Sequence, residues 1–316
     1  MKKWLVALSL ISLILIAFLY LFIPNSVSIN QDVFIKSNAQ GLYRRLSVEN
    51  NWKQWWPGTS DEPDKDNANQ IFKLNGYAYT VTDISLSTVF ILIKGNHIAA
   101  KTLLHVIPLK PDSTKLIWGG KITTSANPIK RIQKYFEAKA LKNEMEKIMV
   151  RADEFFSDNA NIYGTSIKQE LVVDSILIST NAISLGYPNT LFISNLIDKL
   201  KSYVRSQSAK ETGYPMLNVS TADSIHFLTK VAIPVNKRLK DSGSISYRRM
   251  LGGGKILVTE IKGGFHSIKK GFTEMDNYVN DYTRIAPAIP FQSLITDRMK
   301  EQDTSKWITR IFYPVM

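Results

Sequence analysis

The chain has 316 residues, 44% of them hydrophobic and 21% charged, a balance that excludes a disordered chain and a many-span membrane protein. It holds no cysteine and four histidines, which excludes disulfides, thiol nucleophiles and thiolate-bound metals and leaves imidazole chemistry few places to live. Forty Lys plus Arg against 27 Asp plus Glu give a net charge of +13, which would suit nucleic acid or an anionic membrane only if its distribution agrees.

Met1-Lys2-Lys3 precedes Trp4 to Ile23, a run without charge in which Ser9 and Ser12 are the clearly polar members. At 1.5 Å per residue, about 20 residues cross a hydrocarbon core about 30 Å thick, and the run has no polar face for a soluble setting. Trp4 and Tyr20 suit interface anchors, and Pro24 ends the helix. Residues 4–23 are therefore expected to form a transmembrane anchor, with Lys2 and Lys3 holding the N-terminus in the cytoplasm and the rest extracytoplasmic, in the periplasm of a bacterium. The alternative is a cleaved leader and a secreted form, against which stand the long apolar run and the lack of a small-x-small site at Phe22-Ile23-Pro24-Asn25.

Val27 to Ile35 alternates as a strand, with an irregularity expected near Gln31. A short helix runs from Asn38 or Ala39 to about Leu46, followed by Asn51-Trp52-Lys53-Gln54-Trp55-Trp56-Pro57-Gly58 and a polar loop at 61–70. Strands are expected at 70–75, 77–85, 88–95, 98–107 and 114–123, with Asn75-Gly76 as the strongest hairpin signal. Asn127 caps and Pro128 opens a long helix to about Phe156. Ile129, Ile132, Phe136, Leu141, Met145, Ile148, Met149, Ala152 and Phe155 keep its apolar spacing, and its mixed charges read as a solvated face.

This element order, with Asn51-Trp52, Trp55 and Pro57, resembles the SRPBCC superfamily, the START-like helix-grip fold that includes polyketide cyclase-type domains. The resemblance covers about residues 28 to 158. It implies a sheet curled around the long helix and a deep apolar cavity for a lipid-like or aromatic ligand. Trp52, Trp55, Trp56 and Trp118 are then candidate cavity walls, with ordinary core packing as the alternative.

Residues 159–165 read as a linker between a first domain, 24–158, and a second, 166–316. The second shows a strand at 171–184, a helix opened by Pro188-Asn189-Thr190, and strands near 216–220 and 225–233. A further strand at 245–250 and the strand 255–262 flank Gly252-Gly253-Gly254. A helix on Ile268, Phe272, Met275, Val279 and Tyr282 follows, then strands near 291–297 and 307–315. The two cycles share a βαββ grammar and suggest an internal duplication. The glycine run lacks P-loop spacing and reads as a hairpin turn.

Val231 to Val235, Val258 to Phe265, and Thr296-Asp297 with Trp307-Ile308-Thr309-Arg310-Ile311-Phe312-Tyr313-Pro314-Val315 resemble the gyrase-inhibitor-like effector-binding domain, over about 168 to 316. That resemblance implies a pseudo-symmetric groove lined by aromatics, with a glutamate that meets cationic ligands before the final Pro-Val. Here Arg310 stands at the matching position. This favours a carboxylate or phosphate over a cation and weakens the hydrolase activity attributed to some relatives. Glu260, Phe265, Trp307, Arg310 and Tyr313 are the candidate ligand-binding residues of this domain, with core or surface positions as the alternative for each.

No nucleophile elbow, helical His pair or facial triad occurs, and His266 beside Phe265 reads as a surface residue, so no catalytic residue, metal ligand or cofactor is expected. The positive excess is spread over both domains without a basic run or helix-turn-helix, so nucleic acid is not an expected partner. The fold class expected is α+β: a helix-grip antiparallel sheet with a long C-terminal helix, then a duplicated βαββ domain, behind one transmembrane helix. The function expected is membrane-anchored binding or sensing of a hydrophobic or amphipathic, anionic small molecule, the ligand being lipid-like. A cyclase- or hydrolase-like enzyme and a ligand-free scaffold are the alternatives.

Overall fold

The computed structural model describes residues 2–62 and 69–316, in two compact units, Met1–Asp158 and Asn159–Met316. Both are mixed α+β, each built on one antiparallel sheet. Most of the polar loop expected at 61–70 lies outside the described residues.

The first unit begins with helix α1, Lys2–Phe22. The side chains of residues 1–3, 5–7 and 9 lie outside the described ones. Among the described residues no helix is long and apolar enough to cross a membrane: the fully described stretch, 10–22, is shorter than the roughly 20 residues a bilayer needs. The expected apolar helix forms, and the span expected of it is not shown.

Strand β1 (Ser26–Ile35), helices α2 (Ala39–Leu46) and α3 (Glu49–Trp52), and strands β2 (Thr59–Asp61), β3 (Ile71–Leu74), β4 (Tyr77–Ser85), β5 (Thr88–Lys94), β6 (Ala99–Lys110) and β7 (Ser113–Thr123) follow. Their order is β1-β7-β6-β5-β4-β3-β2, a half-barrel whose inner face the long helix α4 (Pro128–Phe156) covers. The β1–β7 register runs unbroken through Gln31 and Trp118, so the irregularity expected near Gln31 is absent. Asn75 and Gly76 both adopt positive φ, 47° and 84°, as a two-residue turn matched to strand twist requires.

The Asn38 carboxamide oxygen accepts from the Gln40 and Gly41 amides to start α2, and Asn127 does the same for Lys130 at α4. The buried stripe of α4 is Ala138, Leu141, Met145, Ile148, Met149, Ala152 and Phe156. Ile129, Ile132 and Phe136, expected on that stripe, are exposed, and Phe156 rather than Phe155 is the buried ring. In the first turns the inward place is taken by Arg131, which donates from Nε to the Ile23 carbonyl (3.0 Å).

The second unit opens with helix α5 (Asn159–Tyr163), inside the stretch read as a linker. Ile162 and Tyr163 are buried, and the Tyr163 hydroxyl donates to Asp281 (2.8 Å). The segment is thus part of the second fold; two apolar residues among polar ones were too few to show a period. Next come β8 (Lys168–Leu171), β9 (Ser175–Leu185), α6 (Thr190–Ser206), β10 (Met216–Thr221), β11 (His226–Val235), β12 (Ser246–Met250), β13 (Lys255–Lys262), α7 (Phe265–Asp281), β14 (Phe291–Leu294), a 3-10 turn Thr304–Lys306, and β15 (Ile308–Val315).

The sheet order β12-β9-β11-β10-β14-β15-β13-β8 is a palindrome. Each half is one βαββ repeat, β9-α6-β10-β11 or β13-α7-β14-β15. Each is preceded by a short arm, β8 or β12, that pairs with the first strand of the other half. Gly252-Gly253-Gly254 is therefore not a hairpin turn, because β12 and β13 do not pair with each other. It is a bend that runs beside the β8–β9 connector. Val172 donates to the Gly254 carbonyl (2.7 Å) and Gly253, at φ 88°, donates back to Val172 (2.9 Å). Helix α6 buries Ile193, Leu200 and Val204 on Ile178, Leu217, Val231 and Ile233. Helix α7 buries Ile268, Met275 and Val279 on Leu257, Ile261, Ile311 and Val315.

Candidate functional site

Directly opposite residues on neighbouring strands share a sheet face. Gln292 on β14 lies opposite Leu217 on one side and Ile311 on the other, one belonging to the core under α6 and the other to that under α7. The buried Gln292 side chain therefore sits on the helix-bearing face, where the two repeats meet. Thr309 on β15, two residues from Ile311, shares that face and is also buried.

Over these two groups lies Arg298. A turn after β14, in which the Asp297 carboxylate accepts the Met299 amide (3.1 Å), presents it. Its Nη2 donates to Thr309 Oγ1 (2.9 Å) and Gln292 Oε1 (3.3 Å), and the guanidinium lies 4.7 Å from the centre of the Trp307 ring. Trp307 is buried and held by its indole N–H on the Glu301 carbonyl (2.8 Å). Tyr187, beside Gln292, meets the Phe265 ring at a tilt (4.5 Å) and the Phe227 ring edge-on (5.7 Å). Among the described residues no carboxylate pairs with Arg298. Burial pulls its pKa down to about 10, partly offset by Tyr187, so it stays a cation at neutral pH. A partly buried cation held only by neutral groups leaves its counter-charge to be supplied from outside the fold, which marks a candidate binding position.

Arg298 lies in the wall of a cavity of about 420 Å³, inside the usual range for small-molecule sites. Ile193 and Ile197 of α6, Tyr214, Pro215 and Leu294 form its apolar side, and Lys201 and Lys300 add positive charge near Asp198 and Asp297. Such a site can take a planar anionic group on a guanidinium fork and an apolar body against α6.

The expected site residues are divided by this geometry. Trp307 and Phe265 belong to the group around Arg298. Arg310 does not: it pairs across β13–β15 with Glu260, Nε to Oε2 at 3.0 Å, both half-exposed on the face away from α7. The anion site expected at Arg310 is thus a neutralised surface pair, as the buried Thr309 and Ile311 on either side dictate. Glu260 also edges a depression of about 400 Å³ with Lys262, His266, Lys270 and Glu274. The Tyr313 hydroxyl donates to Asp276 (2.8 Å), and burial together with that carboxylate pushes its pKa up to about 12.

In the first unit Trp52, Trp55, Trp56 and Trp118 are all buried. Trp52 meets Trp55 at 5.2 Å and Trp56 at 5.9 Å; Tyr79 bridges Trp56 (4.9 Å) and Trp118 (5.9 Å). The Trp52, Trp56 and Trp118 indoles donate to the Leu46 carbonyl, the Lys73 carbonyl and Thr102 Oγ1. Their faces are spent on one another, which is the core-packing alternative. Among the described residues no group of three His, Cys, Asp or Glu could hold a metal ion. Sequence reasoning missed Arg298, Gln292, Thr309 and Tyr187. The available signal was an isolated arginine in an irregular stretch between two strands of the aromatic-rich C-terminal motif.

No family model matches the chain, and no curated protein does. Solved structures resemble parts of it. The C-terminal domain of EcmrR is 18% identical over 48% of this chain and 98% of that one, with a TM-score of 0.42. SAV2435 bound to tetraphenylphosphonium is 14% identical over 48% and 94%, with a TM-score of 0.32. A START superfamily protein from Mycobacterium smegmatis is 18% identical over 38% and 98%, with a TM-score of 0.26. At these values neither ligand nor activity passes from them to this chain.

Proposed function

We propose that the protein binds an amphipathic anion in its second unit, at a membrane to which α1 attaches it. A carboxylate, phosphate or sulfonate sits on Arg298, with Lys201 and Lys300 nearby, and the apolar body lies against Ile193, Ile197 and Leu294. The observation that carries this reading is Arg298: a partly buried cation without a carboxylate partner, at the wall of a cavity with one apolar side. Its hydrogen-bond partners are an amide and a hydroxyl, and no histidine lines the cavity, which supports binding over a reaction. The exposed apolar side chains of α1, among them Leu13, Leu15, Leu21 and Phe22, support attachment to lipid. The lysines before them support an extracytoplasmic location of both units, which digestion by protease only after cell lysis would overturn.

Trp307, stacked on Arg298, makes its own probe. Titration with decanoate is expected to change tryptophan emission, and decanol to bind more weakly. A hydrogen bond to a charged group contributes about 1.5–3 kcal/mol, so Arg298→Met is expected to weaken decanoate about 10- to 150-fold and to leave decanol unchanged. Equal affinities of wild type and R298M for decanoate would sink the proposal.

A further inference from the structure

Where helix α4 begins, one face holds Arg131 and then Ala138, both buried. On the other, Ile129, Ile132 and Phe136 fall at i, i+3 and i+7, one stripe of a helix, and are 68%, 37% and 62% exposed. Beyond Ala140 the same side turns polar, with Asn143, Lys147 and Arg151 around Val150. The exposed apolar stripe is thus confined to the opening turns.

Two observations say what covers it. Arg131 holds the Ile23 carbonyl through Nε and lies over the Tyr20 ring at 4.7 Å, while the Tyr20 hydroxyl donates to the Ala126 carbonyl. These bonds set the end of α1, with Leu21 and Phe22 exposed, beside the start of α4. Lysines lie at the edges of the stripe: Lys130 toward one side and Lys139 on the other, its ammonium 4.7 Å from the Tyr135 ring centre. An apolar stripe with lysines at its edges suits a helix lying in an anionic lipid interface, its stems buried and its ammonium groups at the headgroups.

We infer that the opening turns of α4 lie on an anionic lipid surface, beside the point where α1 enters it. The inference rests on membrane attachment through α1, and the test separates the two. The chain has no cysteine, so Phe136→Cys and Val150→Cys each give one labelling site. Each full-length variant, carrying an environment-sensitive fluorophore, is mixed with vesicles of phosphatidylcholine and phosphatidylglycerol containing brominated acyl chains. Circular dichroism matching wild type confirms that each is folded. The expected result is flotation of both, with a blue shift and quenching at position 136 only, and loss of that quenching in Lys130→Glu/Lys139→Glu. Flotation with position 136 still aqueous overturns the inference and leaves the α1 reading standing. No flotation overturns both. A blue shift at 136 without vesicles that grows with protein concentration assigns the stripe to a second copy and overturns the lipid surface.

Discussion

Two aromatic clusters in this molecule end differently. In the first unit Trp52, Trp55, Trp56, Tyr79 and Trp118 close on one another, with Phe72 and Phe156 at the edges. In the second, Trp307, Tyr187 and Phe265 are comparable in bulk, but a guanidinium stands among them and a cavity opens beside it. Rings packed on one another make a core, even with Trp55 Nε1 and the Tyr79 hydroxyl buried without a partner; a cation held by neutral groups at a cavity wall leaves a counter-charge for a ligand to supply.

The strongest way to break that contrast is to open the closed cluster. Trp52→Ala or Trp118→Ala is expected to cost about 3–5 kcal/mol, as loss of a fully buried tryptophan does, read as a lower denaturation midpoint. A variant that kept its stability while losing a bound lipid would make the first unit the binding site instead. Arg298→Met should change stability much less, by about 1 kcal/mol or less, because losing a partly buried charge offsets the donor lost to Gln292 and Thr309. A loss of several kcal/mol would mark Arg298 as structural. Smaller still, Arg310→Met and Glu260→Gln should each change stability by about 0.5 kcal/mol or less and leave decanoate affinity intact. Loss of decanoate binding in R310M would move the site to the open face of the sheet.

The smallest effect sets the baseline for a charge in full solvent. The Ile225 amide, with the ring and amide of His226, holds the Asp223 carboxyl down at about 2. A folded pKa below the unfolded one means that the turn is favoured above about pH 4 and loses that support as pH falls through about 2. Amide resonances of Ile225 and His226 should therefore titrate near pH 2. A midpoint at the ordinary aspartate value would show that the carboxylate is not held.

Most strands and helices were legible because their signals are local: alternation in β1 and β4 to β7, Asn127-Pro128 at α4, Asn75-Gly76 at the β3–β4 turn. What failed was non-local. Gly252 to Gly254 marks a turn correctly, but which strands pair across it depends on β8 and β9, far earlier in the chain. The opening of α4 kept a helical period yet pointed outward, because period fixes a stripe and not its partner. Attention fell on Arg310 because it stands in a family-like motif, while strand parity alone places it opposite the buried face. Arg298 lay in an irregular stretch, and its partners come from residues 187, 292, 307 and 309.

The exchanged arms carry a cost in time. Strand β8 finds its partner only when β13 exists, since Lys168 pairs with Val258, about 90 residues later. At about 5–20 residues per second of synthesis, β8 waits roughly 5 to 20 seconds as an unpaired edge open to any passing strand. Its sequence, Lys-Gln-Glu-Leu, is exposed throughout and carries two charged residues and one amide in four, a composition that discourages such encounters. A strand with a single apolar residue is thus the one that must be tolerated longest without a neighbour.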